Sequence, residues 1–274
     1  MTKTKAKVSP PGRVRVGIGG WSYAPWRGVF YPKGLKQADE LAYAASHLTS
    51  IEINATHYRL QSAKGFKSWA AAAPDGFVFS VKGPRLVTNQ KALAETGNFI
   101  KRFFASGLAE LGDKLGPVLW QFAPFKRFER DDFARFLDLL PRELDGRVLH
   151  HAIEPRHASF RTPEFVALLR DTGTNVVFTD AKTWPSIADL AGEIVYARLQ
   201  QGDDRLDAAY PPKELDAWAG RAQLWAKGGL PKDLPLIDAA HKPEAKPRDV
   251  FVYFIHEGKL RAPAAAMALI DRLA

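Results

Sequence analysis

The sequence has 274 residues, 46% of them hydrophobic and 25% charged, which is enough for one large core or two small domains. It contains no cysteine, which excludes disulfides, cysteine metal ligands and thiol nucleophiles. Lys and Arg number 39 against 30 Asp and Glu, giving a net charge of +9. Seven of the basic residues lie in the first ten residues and in the Pro-rich segment 230–249. We therefore expect the excess positive charge to serve solubility first and the steering of ligands second.

The sequence also indicates where in the cell the protein is expected. No apolar run approaches the ~18 residues of a membrane span. The first 13 residues are rich in Lys and Pro and lack the apolar stretch of a secretory signal. We therefore expect a cytoplasmic protein with no membrane partner.

Eight short runs rich in β-branched and aromatic residues predict buried strands. They lie at 14–19, 50–54, 77–82, 118–122, 149–154, 175–179, 194–199 and 250–255. Helical patterns fill most of the gaps, at 39–47, 63–73, 98–111, 131–139, 163–171, 212–227 and 263–273. Asp39, Asp131 and Thr162 are predicted N-caps, whereas segment 184–192, before the seventh strand, favours only a short helix.

This alternation predicts an α/β fold, a single (β/α)8 TIM barrel, which typically takes ~250 residues. A doubly wound open sheet is the second choice, because no strand is followed by a G-x-G-x-x-G or P-loop motif. We predict one domain over 14–274 with a flexible tail at 1–13. Segment 230–249 is predicted to be a mobile loop on the N-terminal face of the barrel.

In a TIM barrel the chemistry lies where the strands end, and alternation of side chains predicts which residues point there. Removing charges from water costs several kcal/mol each, so charges at the mouth must pair with one another or with a ligand. Normal folding of Glu154→Gln and Arg198→Ala variants would indicate a functional site. A large loss of thermal stability in both variants would indicate a structural ion-pair network instead. The predicted mouth residues are Glu52, Asn54, Lys82, Glu154, Arg156, Asp180 and Arg198.

Several segments resemble the YecE-like family, the domain-of-unknown-function family numbered 72. They are GIGGWSYAPWRGVFYP (17–32), IEINATHYRL (51–60), FVFSVKGPRLVT (77–88), LWQF (119–122), EPRHASF (154–160) and VYARL (195–199). The resemblance runs from about residue 14 to the C-terminus, and it implies a TIM barrel of uncharacterised activity, loosely related to sugar isomerases. The mouth positions that it implies are Tyr23, Trp26, Glu52, Asn54, Tyr58, Lys82, Gln121, Glu154, Arg156, His157, Asp180 and Arg198.

The chain departs from the family pattern at three places. Gln200-Gln201 stands where the family has His-Gly, and His256-Glu257 stands where it has Asn-Asn. His57 replaces a common phenylalanine. These departures fall on the ligand side of the barrel, where they bear on substrate and activity rather than on the fold.

Metal-dependent chemistry, as in a sugar isomerase or a phosphoesterase or nuclease-like enzyme, is one alternative. The cations of the mouth disfavour it, and we expect no metal and no cofactor. Standard glycoside hydrolysis is disfavoured because strands four and seven end in Gln121 and Arg198 rather than in carboxylates. The acids and histidines available for a metal would be Glu52, Glu154, Asp180, His157 and His256.

The residues best fit a small anionic ligand that bears a sugar or a phosphate. Both a binding protein and a metal-independent acid/base enzyme are consistent with them, although His157 fits an orienting hydrogen bond in its own turn equally well. Nucleic acid is the alternative partner, disfavoured because no basic stripe follows a helix. The catalytic candidates are Glu52, Glu154, His157 and Asp180. The ligand-binding candidates are Tyr23, Trp26, Asn54, Tyr58, Lys82, Gln121, Arg156 and Arg198.

Overall fold

A computed structural model describes residues 10–274 and confirms the predicted barrel. Eight parallel strands close in the order β1-β8-β7-β6-β5-β4-β3-β2, so β1 pairs with both β2 and β8. The strands are β1 Val14–Gly19, β2 Ser50–Ile53, β3 Val78–Lys82, β4 Leu115–Gln121, β5 His151–Glu154, β6 Asn175–Thr179, β7 Ile194–Gln201 and β8 Asp249–Glu257. A two-stranded antiparallel ribbon, Glu143–Leu144 with Arg147–Val148, precedes β5.

Seven main helices cover the outside of the barrel. They are α1 Glu40–His47, α2 Ala63–Ala72, α3 Gly97–Phe104, α4 Arg130–Leu139, α5 Pro163–Asp171, α6 Pro212–Ala226 and α7 Ala262–Leu273. Their buried faces pack on the outward side chains of the strands in one large apolar layer. Within residues 10–274, no helix is both long enough and apolar enough to cross a membrane.

The predicted helix ends are partly wrong. Thr162 caps α5 as predicted, accepting a hydrogen bond from the Phe165 amide at 3.2 Å. Asp39 precedes α1 but makes no capping hydrogen bond with its side chain. Asp131 does not cap α4, because that helix already begins at Arg130.

The helix predicted over 98–111 is interrupted. α3 ends at Phe104, and a separate 3-10 segment occupies Leu108–Lys114. The turn between them passes through Gly107, whose φ is 107° and where an added Cβ would lie 2.4 Å from the Ala63 Cα. Only glycine fits both the backbone angle and the close contact with α2.

The connection between β6 and β7 contains no helix, so the short helix favoured over 184–192 is wrong. Hydrogen bonds to the Asp189 side chain connect this segment to residues 237 and 238. Its carboxylate accepts from the Ile237 amide at 2.7 Å and from the Asp238 amide at 3.0 Å. Arg170 on α5 reaches both Asp189 and Asp238.

These contacts join segment 230–249 to the N-terminal side of β7. Arg248 adds a hydrogen bond to the Gly192 carbonyl, and Lys246 pairs with Glu193 at 2.7 Å. Of the predicted tail, residues 1–9 lie outside the described residues. Gly12 and Arg13 hydrogen bond to Ala226 and Asp249.

Side chains that point into the barrel form layers, as in other barrels of this kind. The lower and middle layers are mostly apolar or hydroxyl-bearing, with Ser50, Ser80, Tyr196 and Tyr253 in the middle. Ionised side chains occupy the layer above, at the C-terminal ends of the strands. The packed lower layers therefore support the mouth from below.

Candidate functional site

A cavity of about 810 Å³ opens at the C-terminal end of the barrel. Strand ends form its floor, and the loop after β1 forms one wall with Trp21, Tyr23 and Trp26. The end of β8 and the loop that follows it form the adjoining wall, including His256 and Lys259. This is the position at which TIM barrels hold their ligands.

Arg198 is the centre of the floor and is 2% exposed. Its Nε and Nη2 each donate to one carboxylate oxygen of Glu52, both at 3.1 Å. Its Nη1 donates to Glu154. Two fully buried carboxylates on β2 and β5 are thus joined by one guanidinium from β7. Such charge-assisted, bidentate pairing compensates part of the cost of burying the ions.

Glu154 has further partners. Gln121 on β4 donates to it at 2.8 Å, and Arg156 reaches its other carboxylate oxygen at 3.2 Å. Burial alone would raise the pKa of Glu154, but Arg198 and Arg156 lower that pKa to about 2. Burial lowers the pKa of Arg198, but the carboxylates of Glu154 and Glu52 raise it by more. Both groups are therefore charged throughout the neutral range.

Glu52 is supported from below. The Tyr196 hydroxyl donates to Glu52 at 2.7 Å and also contacts the Ser80 hydroxyl at 2.7 Å. Burial, together with the charge of Glu52, raises the pKa of Tyr196 well above its usual value. Tyr196 therefore stays neutral and acts as a hydrogen-bond donor that fixes the carboxylate.

Lys82 differs from the other cations of the floor. Its side chain is 7% exposed and lines the cavity. Arg156 and Arg198 hold carboxylates, but Lys82 Nζ makes no ion pair or hydrogen bond with any group in residues 10–274. Burial and the nearby Arg198 lower the pKa of Lys82 to about 8.

The walls of the cavity are aromatic. The Tyr23 and Trp26 rings meet edge to face at 5.2 Å, and Lys259 Nζ lies 4.3 Å from the Tyr23 ring centre. Trp26 Nε1 donates to the Lys259 carbonyl at 2.8 Å, which ties the β1 loop to the β8 loop. On the far side, the Arg156 guanidinium stacks over Trp184 at 4.7 Å.

The structure brings together most of the residues that the sequence singles out. Glu52 and Glu154 lie directly beneath the cavity, bonded to Arg198. All eight ligand-binding candidates line it, namely Tyr23, Trp26, Asn54, Tyr58, Lys82, Gln121, Arg156 and Arg198. Two catalytic candidates, His157 and Asp180, do not line it.

Asp180 was predicted at the mouth, and the structure corrects this placement. Val177 points into the barrel, whereas Phe178 points outward against Trp218 on α6. Asp180 continues the outward side, where it accepts a hydrogen bond from the Gln200 amide at 2.6 Å. Burial, with a contribution from Glu214, raises the pKa of Asp180 to about 6.

His157 is occupied within its own turn. Its Nδ1 lies 2.9 Å from the Ser159 hydroxyl and accepts from the Ser159 amide at 3.1 Å. The Ser159 hydroxyl in turn accepts a hydrogen bond from the Phe128 amide at 2.8 Å. These contacts match the orienting role that was the alternative to an acid partner.

Two of the three departures from the family pattern contribute residues to the cavity lining, and the one at His57 does not. Gln200 lines it and donates to the Thr179 hydroxyl at 2.8 Å, while Gln201 donates to the Asp180 carbonyl at 2.5 Å. His256 also lines it, with a left-handed backbone (φ 73°). His57 lies 2.9 Å from the Gly83 carbonyl, and burial and the charge of Lys82 lower the pKa of His57 to about 4.

The acids and histidines considered for a metal are not assembled into a site. Among residues 10–274, no group of three or more His, Asp and Glu side chains is arranged to hold a metal ion. Glu52 and Glu154 instead direct their oxygens at Arg198. The donor set therefore does not fit a metal.

Three residues of the site were missed by sequence reasoning. Tyr196 could have been found, because it lies two residues before Arg198 and shares its face of β7. Trp184 and Asp204 lie in irregular loops, where no periodicity indicates their direction. Loops of this kind are placed by tertiary contacts rather than by local pattern.

Comparison with known proteins gives a family but no activity. The profile of the family described as "Protein of unknown function DUF72" matches residues 15–274. The UPF0759 protein YunF of Bacillus subtilis (strain 168) is 25% identical over 157 residues, which cover 56% of this chain and 54% of that protein. The match thus spans about half the length of that relative.

Two crystal structures of DUF72 family proteins resemble the whole barrel. One, from Enterococcus faecalis V583, has a TM-score of 0.69 at 18% identity and covers 95% of each chain. The other, from Thermotoga maritima MSB8, has a TM-score of 0.65 at 24% identity, covering 94% of this chain and 97% of that one. At these identities the likeness establishes the fold.

Proposed function

This chain belongs to the DUF72 family, whose function is unknown, and from its own mouth residues we propose that it binds a small anionic ligand bearing a sugar or a phosphate. One observation carries the proposal. Lys82 is a buried cation that faces a cavity and has no anionic partner in the described chain. Buried charges are normally paired, so a ligand anion is the natural counterpart.

The charge balance of the floor supports this conclusion. Glu52 and Glu154 are neutralised by Arg198 and Arg156, which leaves the ammonium of Lys82 as the surplus charge. With a pKa of about 8, Lys82 is mostly protonated at pH 7. Lys259 adds a second cation at the rim, next to Tyr23. Both ammonium groups line the same cavity, so each can attract the phosphate or carboxylate of a ligand.

The walls suit the remainder of such a ligand. Trp21 and Tyr23 present ring surfaces that can cover the apolar face of a sugar, and Asn54 and Gln200 offer amide groups for hydroxyls. His157 and Asp180 lie outside the cavity, and Glu154 has a pKa of about 2, which makes it a weak base at pH 7. The proposal therefore concerns binding and assigns no acid–base role to these groups.

The test is thermal unfolding with glucose 6-phosphate, inorganic phosphate, glucose and sodium chloride at matched ionic strength. We expect glucose 6-phosphate and phosphate to raise the Tm, while glucose and chloride do not. A ligand at 100 times its Kd stabilises by about 2.7 kcal/mol, which corresponds to several degrees for a chain of this size. An equal shift from glucose alone would contradict an anion site.

Matched variants locate the site. In Lys82→Met the phosphate-dependent shift should disappear, and the unliganded protein should unfold at the same or a higher temperature, because an unpaired buried charge has been removed. Lys64→Met, at an exposed position on α2, should retain the shift. A Lys82→Met variant that still responds to phosphate would refute the proposal.

Single-stranded DNA serves as the competing class of anion. If DNA bound with a steep salt dependence and did so equally in Lys82→Met and the unaltered chain, the partner would be a nucleic acid on another surface. The cavity proposal predicts instead that DNA gives no shift at physiological salt.

A further inference from the structure

The amine of Lys82 is placed for covalent chemistry as well as for charge pairing. Lys82 is the last residue of β3, so its position is set by the rigid barrel rather than by a loop. Its side chain is almost fully buried, but it lines the cavity at the barrel mouth. No carboxylate within residues 10–274 lies close enough to form an ion pair with Nζ.

Burial lowers the pKa of Lys82 most, Arg198 and Arg156 lower it further, and Glu52 and Glu154 raise it in part. Positive charge comes from Arg198 and Arg156, and both guanidiniums are fixed by carboxylates. His57, on the short helical turn after β2, is also near and is neutral at pH 7. The charged and titratable groups that act on Lys82 are therefore Arg198, Glu52, Glu154, Arg156 and His57.

We propose that Lys82 forms an imine with the carbonyl group of a small anionic aldehyde or ketone bound in the cavity. This inference rests on the proposed anion site and specifies its ligand, which carries both a carbonyl group and a carboxylate or phosphate. The same cations that attract the anion also keep a fraction of Lys82 uncharged. A desolvated lysine beside another cation is a known way to make a nucleophilic amine.

The step balances without another reactant. The Lys82 ammonium first loses a proton, and the nitrogen lone pair attacks the carbonyl carbon, so that a C–N bond forms. The C–O bond then breaks, and the oxygen leaves as water. Starting from the ammonium, two of its three protons depart in that water, and the third stays on the positively charged imine nitrogen.

Burial and Arg198 also set the pH range of this chemistry. They lower the pKa of Lys82 to about 8, so the uncharged amine is roughly two hundred times more abundant at pH 7 than in an ordinary exposed lysine. Reactivity at Lys82 should therefore rise with pH and level off above about 8. Exposed lysines should continue to gain reactivity well beyond that point.

The experiment is reductive trapping of the whole chain with pyruvate and sodium cyanoborohydride, followed by peptide mass mapping. Pyruvate supplies a ketone and a carboxylate, and acetone serves as the uncharged ketone for comparison. At pH 7 we expect labelling of Lys82 at least about tenfold above that of the exposed Lys64 and Lys67, because the amine fraction is larger. Acetone should label Lys82 far less than pyruvate does.

Lys82→Arg is the matched variant, because it keeps the positive charge but cannot form the imine. It should lose the adduct while retaining the thermal shift produced by phosphate. Labelling of Lys82 no greater than that of Lys64 would overturn the imine, even if phosphate still stabilised the protein. If the unaltered chain showed neither the Lys82 adduct nor a thermal shift with phosphate, the anion site itself would be overturned.

Discussion

Arg198 is the residue on which the largest stability effect is expected. It neutralises two fully buried carboxylates, so its removal leaves both without their main partner. We predict that Arg198→Met lowers the free energy of unfolding by about 3–5 kcal/mol, as is usual when one partner of a buried ion pair is deleted. Urea unfolding monitored by tryptophan fluorescence measures the change.

Arg205→Met is the control for this prediction. Arg205 pairs with Asp203 at the surface and is 88% exposed, so its removal should have no measurable effect. The triple variant Glu52→Gln, Glu154→Gln, Arg198→Met should recover part of the loss, because it leaves no unpaired charge. Equal stabilities of Arg198→Met and Arg205→Met would show that the buried network contributes nothing.

At this scale the sequence was informative wherever strand alternation was unambiguous. Glu52, Lys82, Glu154 and Arg198 each stand out as the one Asp, Glu, Lys or Arg of their strand, so their inward direction could be predicted. Asp180 could not be placed in this way. Val177 and Phe178 are both apolar, and the pattern does not show which of them faces the lumen.

The connection between β6 and β7 is the element that departs most from a regular barrel. Asp189 holds segment 230–249 in place through the Ile237 and Asp238 amides and Arg170. We predict that Asp189→Ala costs about 1–3 kcal/mol, because buried donors lose their acceptor. The loss should be local and should expose the Arg248–Asp249 bond, whose arginine is buried, to trypsin, while the phosphate-dependent thermal shift remains.

Asp233→Ala tests whether this effect belongs to Asp189. Asp233 lies in the same segment and pairs with Arg221, but its side chain is 58% exposed. The time course of trypsin cleavage should match that of the unaltered chain. If Asp189→Ala were cleaved no faster than Asp233→Ala, the segment would be held by contacts other than the Asp189 carboxylate.

The elements themselves were largely predictable from the sequence, and their ends were not. β1, β6 and α5 occupy the predicted residues, because strong periodicity coincides with clear turn residues. β4 begins three residues early, at Leu115, and continues through Gly116 and Pro117, which look like strand breakers in isolation. A Cβ added at Gly116 would lie 2.7 Å from the Phe79 carbonyl oxygen. Pairing with β3 therefore requires a glycine at this position.

For the molecule as a whole, buried histidines make stability depend on pH. His151 accepts from Trp120 Nε1 through Nδ1 at 3.1 Å and donates from Nε2 to the Pro141 carbonyl at 2.8 Å, so its neutral ring has both partners. Burial lowers the pKa of His151 to about 4, and that of His57 likewise. Between about pH 6.5 and 4 the unfolded chain therefore binds protons that the folded chain does not.

We predict that the free energy of unfolding falls as the pH is lowered from 6.5 towards 4. Asp180, with its pKa raised to about 6, acts in the opposite direction over the same range, but two histidines outweigh one carboxyl. Below about pH 4.5, Glu154 adds a further loss as the pH approaches its pKa of about 2. Urea unfolding at pH 7, 6, 5 and 4.5 measures the slope.

His151→Gln isolates the main contribution, since an amide can keep both hydrogen bonds without titrating. Its slope between pH 6 and 4.5 should be smaller by up to about 1.4 kcal/mol per pH unit. An unchanged slope would mean that His151 does not cause the acid sensitivity.

The position of β8 between β1 and β7 has a consequence for synthesis on the ribosome. One edge of β1 pairs with β8, the last strand of the barrel. That edge therefore stays unpaired until residues 249–257 have left the exit tunnel. Lys259 and His256 arrive with that strand and complete the cavity wall. A nascent chain that stalls before β8 therefore has an open sheet edge and an incomplete cavity wall, and an unpaired edge of this kind is prone to aggregation.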